Sequence, residues 1–291
     1  MTKDVSTARS RDLGRQLAAI RQAAGHTIQT LADAIGTGAP TLSRLENGLR
    51  GVSDVKLIQY LSLCGLKSHE IVPFVQLSHA PDTGYHLSAF DGRVVDELMA
   101  LVVHETTASA IEEYETTLVP GLFQSAEYAR ALFHEGGVEA GDLIERWVEV
   151  RMDRQAILRR LQPPQTTFYL TEHALRSVVG GPSVMHDQLM KLWFTCSWQN
   201  CCVRVIPTSD SGKAGPVCSF RLMSFAEHGS VVQHDLLAAS LFLEKDIALY
   251  RGAINRIDRI ALSAGQSKAL ISALADEYGA QHERDADLAQ E

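Results

Sequence analysis

The sequence predicts an all-α N-terminal domain followed by a larger α+β domain. Two observations carry this prediction. Residues 11–77 hold five short segments with apolar residues at helical spacing, and four of these segments end at a glycine. After residue 91, helical segments alternate with β-branched or apolar runs of strand length. The predicted boundaries are 1–77 for the first domain, 78–91 for a linker and 92–285 for the second domain.

The five N-terminal helices follow one another closely. The first runs from Arg11 to Ala24, the second follows Thr27 as its N-cap and ends at Gly36, and the third ends at Asn47-Gly48. The fourth and fifth begin after the candidate N-caps Ser53 and Ser68. Short connections between short helices favour a small helical domain.

The remainder of the chain contains both predicted helices and predicted strands. Residues 78–84 have the composition of a linker. The predicted helices are 92–104, 125–133, 142–161, 183–196, 247–264 and 267–278, and the predicted strands are 110–116, 167–171, 202–206 and a hairpin of 217–225 with 231–235.

Amino-acid composition and the distribution of charge limit the classes of protein to which the chain can belong. The chain of 291 residues is 45% apolar and carries a formal charge of −8. Residues 1–75 have nine Lys and Arg against six Asp and Glu, whereas the remainder has 18 against 29. A mildly basic N-terminal domain, called the head below, joined to an acidic remainder is expected of a protein that contacts DNA only through its N-terminal domain.

Other features exclude several classes. No apolar run is long enough for a membrane span and no signal peptide is visible, so the expected location is the cytoplasm. The five cysteines show no CxxC spacing, which argues against a zinc site or disulfides. We expect neither a metal nor a cofactor.

Residues 27–48 have the pattern of a helix-turn-helix. Leu31, Ile35, Leu42 and Leu45 face inward, Gly36 makes the turn, and the second helix presents polar side chains outward. Spacing alone fits an ordinary antiparallel helix pair equally well. The local sequence is more specific, since Leu42 to Gly48 resembles the end of the recognition helix in the Xre/Cro-like family, and residues 13–25 resemble that family's first helix.

The resemblance implies roles for individual residues. It places Ala39, Pro40, Thr41, Ser43 and Arg44 where family members meet the major groove, and it implies an internal ion pair between Arg21 and Glu46. Ile28 stands where the family has a glutamine that grips a phosphate, so Thr27 or Gln29 is expected to replace it. The full predicted DNA-binding set is Thr27, Gln29, Thr37, Ala39, Pro40, Thr41, Ser43, Arg44 and Arg50.

Side-chain chemistry ranks these contacts. Arg44 is the best base reader, because a guanidinium donates two bonds to guanine O6 and N7; a phosphate contact is the alternative. Ala39 and Pro40 offer apolar contact to a thymine methyl group. Arg50 is equally well interpreted as a phosphate contact or as a solvated surface charge.

The second domain also shows a resemblance. Val119-Pro120-Gly121-Leu122-Phe123-Gln124-Ser125, with further matches across residues 95–280, is similar to a C-terminal domain joined to Xre-type heads in regulators of filamentous soil bacteria. That family is described as antitoxin-like, and its members often lie beside a gene for a small acidic partner protein. Arg146, Arg151 and Arg154 share one helix face, which is either a partner or ligand surface or a solvated face.

These observations lead to three functional hypotheses. The first is a transcriptional regulator that binds a palindrome on double-stranded DNA as a homodimer, while its second domain senses a ligand or a small partner protein. The second is the antitoxin of a toxin–antitoxin pair, which neutralises a partner and represses its own promoter. The third, an enzyme with an appended DNA-binding head, is disfavoured because no catalytic fingerprint is present.

Overall fold

Residues 6–80 fold into five helices around one core. The computed structural model describes residues 6–80, 83–89, 94–138, 141–215, 218–226, 229–236 and 239–288. The N-terminal helices are α1 (Ala8–Ala23), α2 (Ile28–Ile35), α3 (Ala39–Glu46), α4 (Asp54–Leu63) and α5 (Ser68–His79). Their core is built around Leu17, Leu31, Leu42, Tyr60 and Leu61, none more than 1% exposed. Burial of each such leucine stabilises the domain by roughly 1.5–3 kcal/mol, and the predicted all-α domain is confirmed.

The second domain is organised by a mixed sheet of seven described strands. They are β1 (Tyr85–Ala89), β2 (Ala110–Glu115), β3 (Gln165–Thr171), β4 (Cys201–Ile206), β5 (Phe220–Ser224), β6 (Val231–Leu236) and β7 (Ala239–Leu243). Their spatial order is β1-β7-β6-β5-β2-β3-β4. Strands β2, β3 and β4 run parallel, and the other neighbouring pairs are antiparallel.

Helices provide the crossovers that parallel strands require. The remaining helices are α6 (Val94–Thr107), α7 (Ala126–Glu135), α8 (Gly141–Arg154), α9 (Glu172–Arg176), α10 (Pro182–Thr195), α11 (Ile247–Ile260) and α12 (Ala264–Leu288). Helices α7 and α8 connect β2 to β3, and α9 and α10 connect β3 to β4. None of the described helices is both long and apolar enough to cross a lipid bilayer.

Each face of the sheet is covered by its own set of helices. Along β2, Ile111 joins the larger core beneath α10 and α12, whereas Tyr114 packs on the opposite face against α11. The same alternation in β4 directs Val205 to the first core and Ile206 to the second. Helical layers on both faces of one mixed sheet confirm the predicted α+β domain.

The segment predicted as a linker, 78–91, is partly ordered structure. Helix α5 continues to His79, and residues 85–89 form edge strand β1, which pairs with β7. Sequence patterning missed β1 because Tyr85 and Leu87 point outward and are about half exposed, so the strand lacks an apolar run. Residues 81, 82, 90 and 91 of the predicted linker lie outside the described residues.

The predicted helix 142–161 is shorter than expected. Helix α8 ends at Arg154, and a 3₁₀ turn over Gln155–Arg159 follows. That turn directs Ile157 and Leu158 into the core, while Leu161 is left 99% exposed. The periodicity continued past Arg154, but burial of the two apolar side chains favours the tighter turn.

Helix α1 joins the two domains. The Arg11 guanidinium lies 2.8 Å from Glu244 Oε1, just after β7, and the Ala8 amide donates to the other carboxylate oxygen. Asp12 Oδ2 lies 2.9 Å from His86 Nε2 on β1. Burial opposes ionisation of Asp12, but His86 and Arg15 outweigh it and hold the Asp12 pKa below its usual value. The head therefore packs on the second domain through buried ionic contacts.

Candidate DNA-binding site

The turn between α2 and α3 is set by a few backbone contacts. The hydroxyl of Thr27 accepts a hydrogen bond from the Thr30 amide and caps α2. Gly36 ends that helix in the left-handed region at φ 68°, which only glycine adopts without cost. The Thr41 amide then bonds the Gly38 carbonyl at 2.9 Å as α3 begins, with Pro40 in its first turn. The result is two helices joined by a tight turn.

Helix α3 divides its side chains between the core and solvent. Leu42 and Leu45 are buried, whereas Pro40 and Arg44 are exposed. Among the residues that the structure describes, Arg44 forms no ion pair, so its guanidinium is available to an incoming ligand. Arg50, after the end of α3, is likewise exposed.

The other predicted contacts are less accessible. Ala39, Thr37, Thr41 and Ser43 are half-buried, and Ala39 packs against the core of the head. Ser43 also lines a groove of about 770 Å³ between the head and α6 of the second domain. Their roles toward DNA stay predictions.

The residues proposed to replace the missing glutamine have partners in the free protein. The hydroxyl of Thr27 is engaged with Thr30, and Gln29 Nε2 donates to Asp33 Oδ1 at 2.8 Å. Both side chains are exposed at the start of α2, while Ile28 packs against the core of the head. A phosphate oxygen would therefore have to compete with Asp33 for the amide of Gln29.

The ion pair between α1 and α3 is bidentate and buried. Arg21 Nε and Nη2 lie 2.7 and 2.9 Å from the two carboxylate oxygens of Glu46, and both side chains are less than 10% exposed. Arg21 Nη1 also donates to the His26 carbonyl. The Tyr60 hydroxyl lies 2.6 Å from Glu46 Oε1, and burial raises its pKa, so the phenol keeps the proton that it donates. This network fixes α3 relative to α1 and α4.

Gly14 allows α1 to approach the end of α3, a feature that sequence reasoning did not single out. A Cβ atom at Gly14 would lie 2.4 Å from the Glu46 carbonyl oxygen and 2.5 Å from that of Leu45. Both neighbours are backbone atoms of a helix, so neither can rotate away. The absence of a side chain at this position therefore sets the distance between the two helices.

Gly14→Ala should separate α1 from α3. Overpacking at such a contact typically costs about 1–3 kcal/mol. We expect a lower midpoint of urea unfolding and weaker DNA binding, measured by circular dichroism and by fluorescence anisotropy. Gly51→Ala is the control, because a Cβ there meets nothing within 4 Å. Equal midpoints for the two variants would show that the close approach is unimportant.

The three arginines predicted to share a surface have different environments. Arg146 is exposed on α8, but Arg151 is half-buried, donates to Gln124 Oε1 at 2.7 Å and lies over the Phe133 ring. Arg154 is buried and bidentate with Glu105 at 2.6 and 2.7 Å. The predicted common surface is wrong for Arg154, because its charge neutralises a carboxylate inside the domain.

Arg154 belongs to a buried network that was not predicted. Arg221 on β5 is bidentate with Glu113 on β2 at 2.7 and 2.8 Å, and it donates to Gln233 on β6. Arg221 also lies 3.7 Å from Glu105, which joins the two pairs. All four charged side chains are at most 4% exposed. Burial lowers the pKa of Arg221, but Glu113 and Glu105 outweigh it and raise the pKa.

Two family models cover most of the chain. A tight turn joining α2 to an exposed α3 defines a helix-turn-helix domain, and a model described as "Helix-turn-helix domain" matches residues 12–72. A model described as "Domain of unknown function (DUF5753)" matches residues 98–273. Because this second match spans more than half of the sequence, the chain belongs to the DUF5753 family. No curated protein and no solved structure matches the chain. The helix-turn-helix domain supports DNA as a partner.

Proposed function

We propose that this chain is a sequence-specific transcriptional regulator of the Xre/Cro type and has no catalytic activity. Its head reads double-stranded DNA, and its second domain senses a ligand or a small partner protein. One observation carries the proposal: a helix-turn-helix domain presents Arg44 on the outer face of α3, where it is exposed and forms no ion pair with any residue that the structure describes. The resemblance of residues 42–48 to the Xre/Cro recognition helix supports the same assignment.

Contacts to the DNA backbone are proposed on either side of α3. Thr27 and Gln29 lie exposed at the start of α2, and Arg50 lies exposed after α3. These positions flank the recognition helix, where phosphate contacts fix the register of a helix-turn-helix on its site. Because the N-terminal domain has few lysine and arginine side chains available to contact phosphates, we propose that its affinity for DNA depends only modestly on salt concentration.

A homodimer on a palindromic operator completes the proposal. One recognition helix reads too few bases to select a site in a genome, and two-fold symmetric regulators overcome this with half-sites about 34 Å apart. The proposed interface lies in the second domain, around residues 94–101 and 147–161. Side chains 94–100 lie outside those described, and Trp147 is half-buried against Phe133.

Arg44→Ala should weaken binding to the specific site by at least about tenfold, since one bidentate arginine–guanine contact is worth roughly 1–3 kcal/mol. Fluorescence anisotropy with specific and random duplexes measures the change. The matched control is Arg146→Ala, which removes an exposed arginine from α8 in the second domain. Loss of affinity with unchanged discrimination would instead make Arg44 a phosphate contact.

A further inference from the structure

A polar cavity of about 290 Å³ lies inside the second domain. Its lining comes from β2, β5, β6, α8 and the segment 117–124. Thr117 and Asp235 are exposed where they line it, so the cavity is reached from solvent. Protein interiors are close-packed, and a space of about this size that combines apolar walls with a few polar groups is typical of a ligand site.

The inner part of the cavity is electrically balanced. Glu113, Arg221 and Gln233 are paired across β2, β5 and β6 and point to the same face of the sheet. Each carboxylate of this buried network is bonded to a guanidinium, as is Glu105 to Arg154. These groups satisfy one another and leave no net charge for a ligand to neutralise.

The residues two positions beyond Glu113, Arg221 and Gln233 in the same three chain segments include two carboxylates. Beyond the last pairs of β2 with β5 and of β5 with β6, Glu115, Ser219 and Asp235 continue the three chain segments. The Glu115 carboxylate is hydrogen-bonded to the Ser219 side chain and is close enough to Asp235 to interact with its charge. All three residues line the cavity. We call this set the outer row.

The cations near the outer row already have partners. Arg221 is committed to Glu113, and Arg151 of α8 donates to Gln124 and lies over the Phe133 ring. Arg154 is paired with Glu105. The cavity and its immediate support therefore hold four carboxylates (Glu105, Glu113, Glu115, Asp235) and three guanidinium groups (Arg151, Arg154, Arg221). When Glu115 is ionised, the surplus is one negative charge.

The protonation of Glu115 reflects this surplus. Burial, together with the charges of Glu113 and Asp235, raises its pKa to about 8, against the opposing effects of Ser219 and Arg221. Tyr128 of α7 is a further titratable group that faces it. The raised pKa favours the protonated form of Glu115 near neutral pH, and a bound cation would favour loss of that proton.

We propose that this cavity binds a small organic cation, whose ammonium or guanidinium group lies over Ser219 between Glu115 and Asp235. The walls favour an organic ion over a metal ion, because Leu118, Val119 and Leu132 line the same space and would cover a short hydrocarbon chain. A bare divalent ion would fill little of 290 Å³ and needs six or more oxygen ligands if it is calcium.

Helix α6 connects this cavity to the DNA-binding head. Leu101 of this helix lines the cavity. Glu105, also on α6, forms an ion pair with Arg154, and Arg154 lines the cavity as well. On another side of the same helix, Val102 and Thr106 line the groove whose opposite wall includes Ser43 of α3. A shift of α6 on cation binding would reach the recognition helix, so the occupant acts as an effector. This last step rests on the proposed function.

Titration calorimetry on the full chain tests the site. The probes are butane-1,4-diamine and butylammonium, with butyrate as an anion of equal length. We expect both amines to bind and butyrate not to bind. Affinity should rise from pH 6 to about 8 and then level off, because Glu115 must lose its proton. Glu115→Gln and Asp235→Asn should each weaken binding about tenfold or more, and Glu115→Gln should abolish the pH dependence.

The control is Glu112→Gln, which changes the neighbouring carboxylate that pairs with Arg251 on the opposite face of β2. Its amine affinity should equal that of the unmodified chain. Absence of amine binding at millimolar concentration, binding that Glu115→Gln leaves unchanged, or preferential binding of butyrate would each overturn the proposal. Stoichiometric calcium binding that displaces the amines would overturn the organic class of ligand.

A parallel titration of operator DNA separates this inference from the proposed function. Saturating amine should change DNA affinity at least about threefold in the unmodified chain, and not in Glu115→Gln. Amine binding without any effect on DNA affinity would overturn the effector role. Amine binding by a chain that never binds DNA would support the cavity assignment and overturn the proposed function instead.

Discussion

Replacement of Glu46 by alanine is expected to lower the free energy of unfolding by about 3–5 kcal/mol, because it leaves the Arg21 guanidinium buried without its carboxylate. The Tyr60 hydroxyl would lose the same acceptor. Folded domains are stable by only about 5–15 kcal/mol, so the change should remove a large part of the stability of the head. Urea unfolding followed by circular dichroism measures the loss.

A second bidentate pair provides the control. Arg130 and Glu145 meet at 2.6 and 2.9 Å, a geometry close to that of Arg21 and Glu46, but they are 38% and 58% exposed. Exposed pairs contribute about 0–1 kcal/mol, so Glu145→Ala should barely move the unfolding midpoint. A normal midpoint for Glu46→Ala together with lost DNA binding would make Glu46 a contact residue rather than a structural one.

Arg221→Ala should destabilise the second domain by a similar amount. The substitution leaves the buried carboxylate of Glu113 without its bidentate partner and removes a neighbouring positive charge from Glu105. We expect a loss of about 3–5 kcal/mol, with the carboxylates taking up protons. The unfolding midpoint should therefore recover partly as the pH is lowered toward 5, since protonated carboxyl groups cost less to bury.

The control for the Arg221→Ala prediction is an ion pair on the other face of the same sheet. Arg251 lies 3.5 Å from Glu112, and the two side chains are 49% and 27% exposed. Arg251→Ala should cost less than about 1 kcal/mol. Equal losses for Arg221→Ala and Arg251→Ala would contradict the claim that burial sets the strength of the inner network.

The sequence predicted those parts of the protein that local patterns determine. The capping residue Thr27, the turn at Gly36 and the inward Leu42 are read from short spacings, and each acts within a few residues of its own position. The order of the helices other than α9, and of most strands, followed in the same way. Strand β1 was missed because it carries outward Tyr85 and Leu87, and β7 was missed as well.

Contacts between distant segments could not be read from spacing. Arg154 occupies a surface-like position in the helical periodicity of 142–161, yet it lies against Glu105, 49 positions away. Glu113 and Arg221 are 108 positions apart, and only the register of β2 with β5 places them together. The cavity depends on that register, so no local pattern of the sequence indicates it.

The most direct test of the central claim is selection of binding sites from random duplex DNA by the full chain, with Arg44→Ala selected in parallel. We predict that the unmodified protein enriches one palindromic motif with half-sites about one helical turn apart. The variant should enrich the same spacing with relaxed preference at one base pair in each half-site. Enrichment of no motif by the unmodified chain would contradict the account, and a single asymmetric motif would contradict the homodimer.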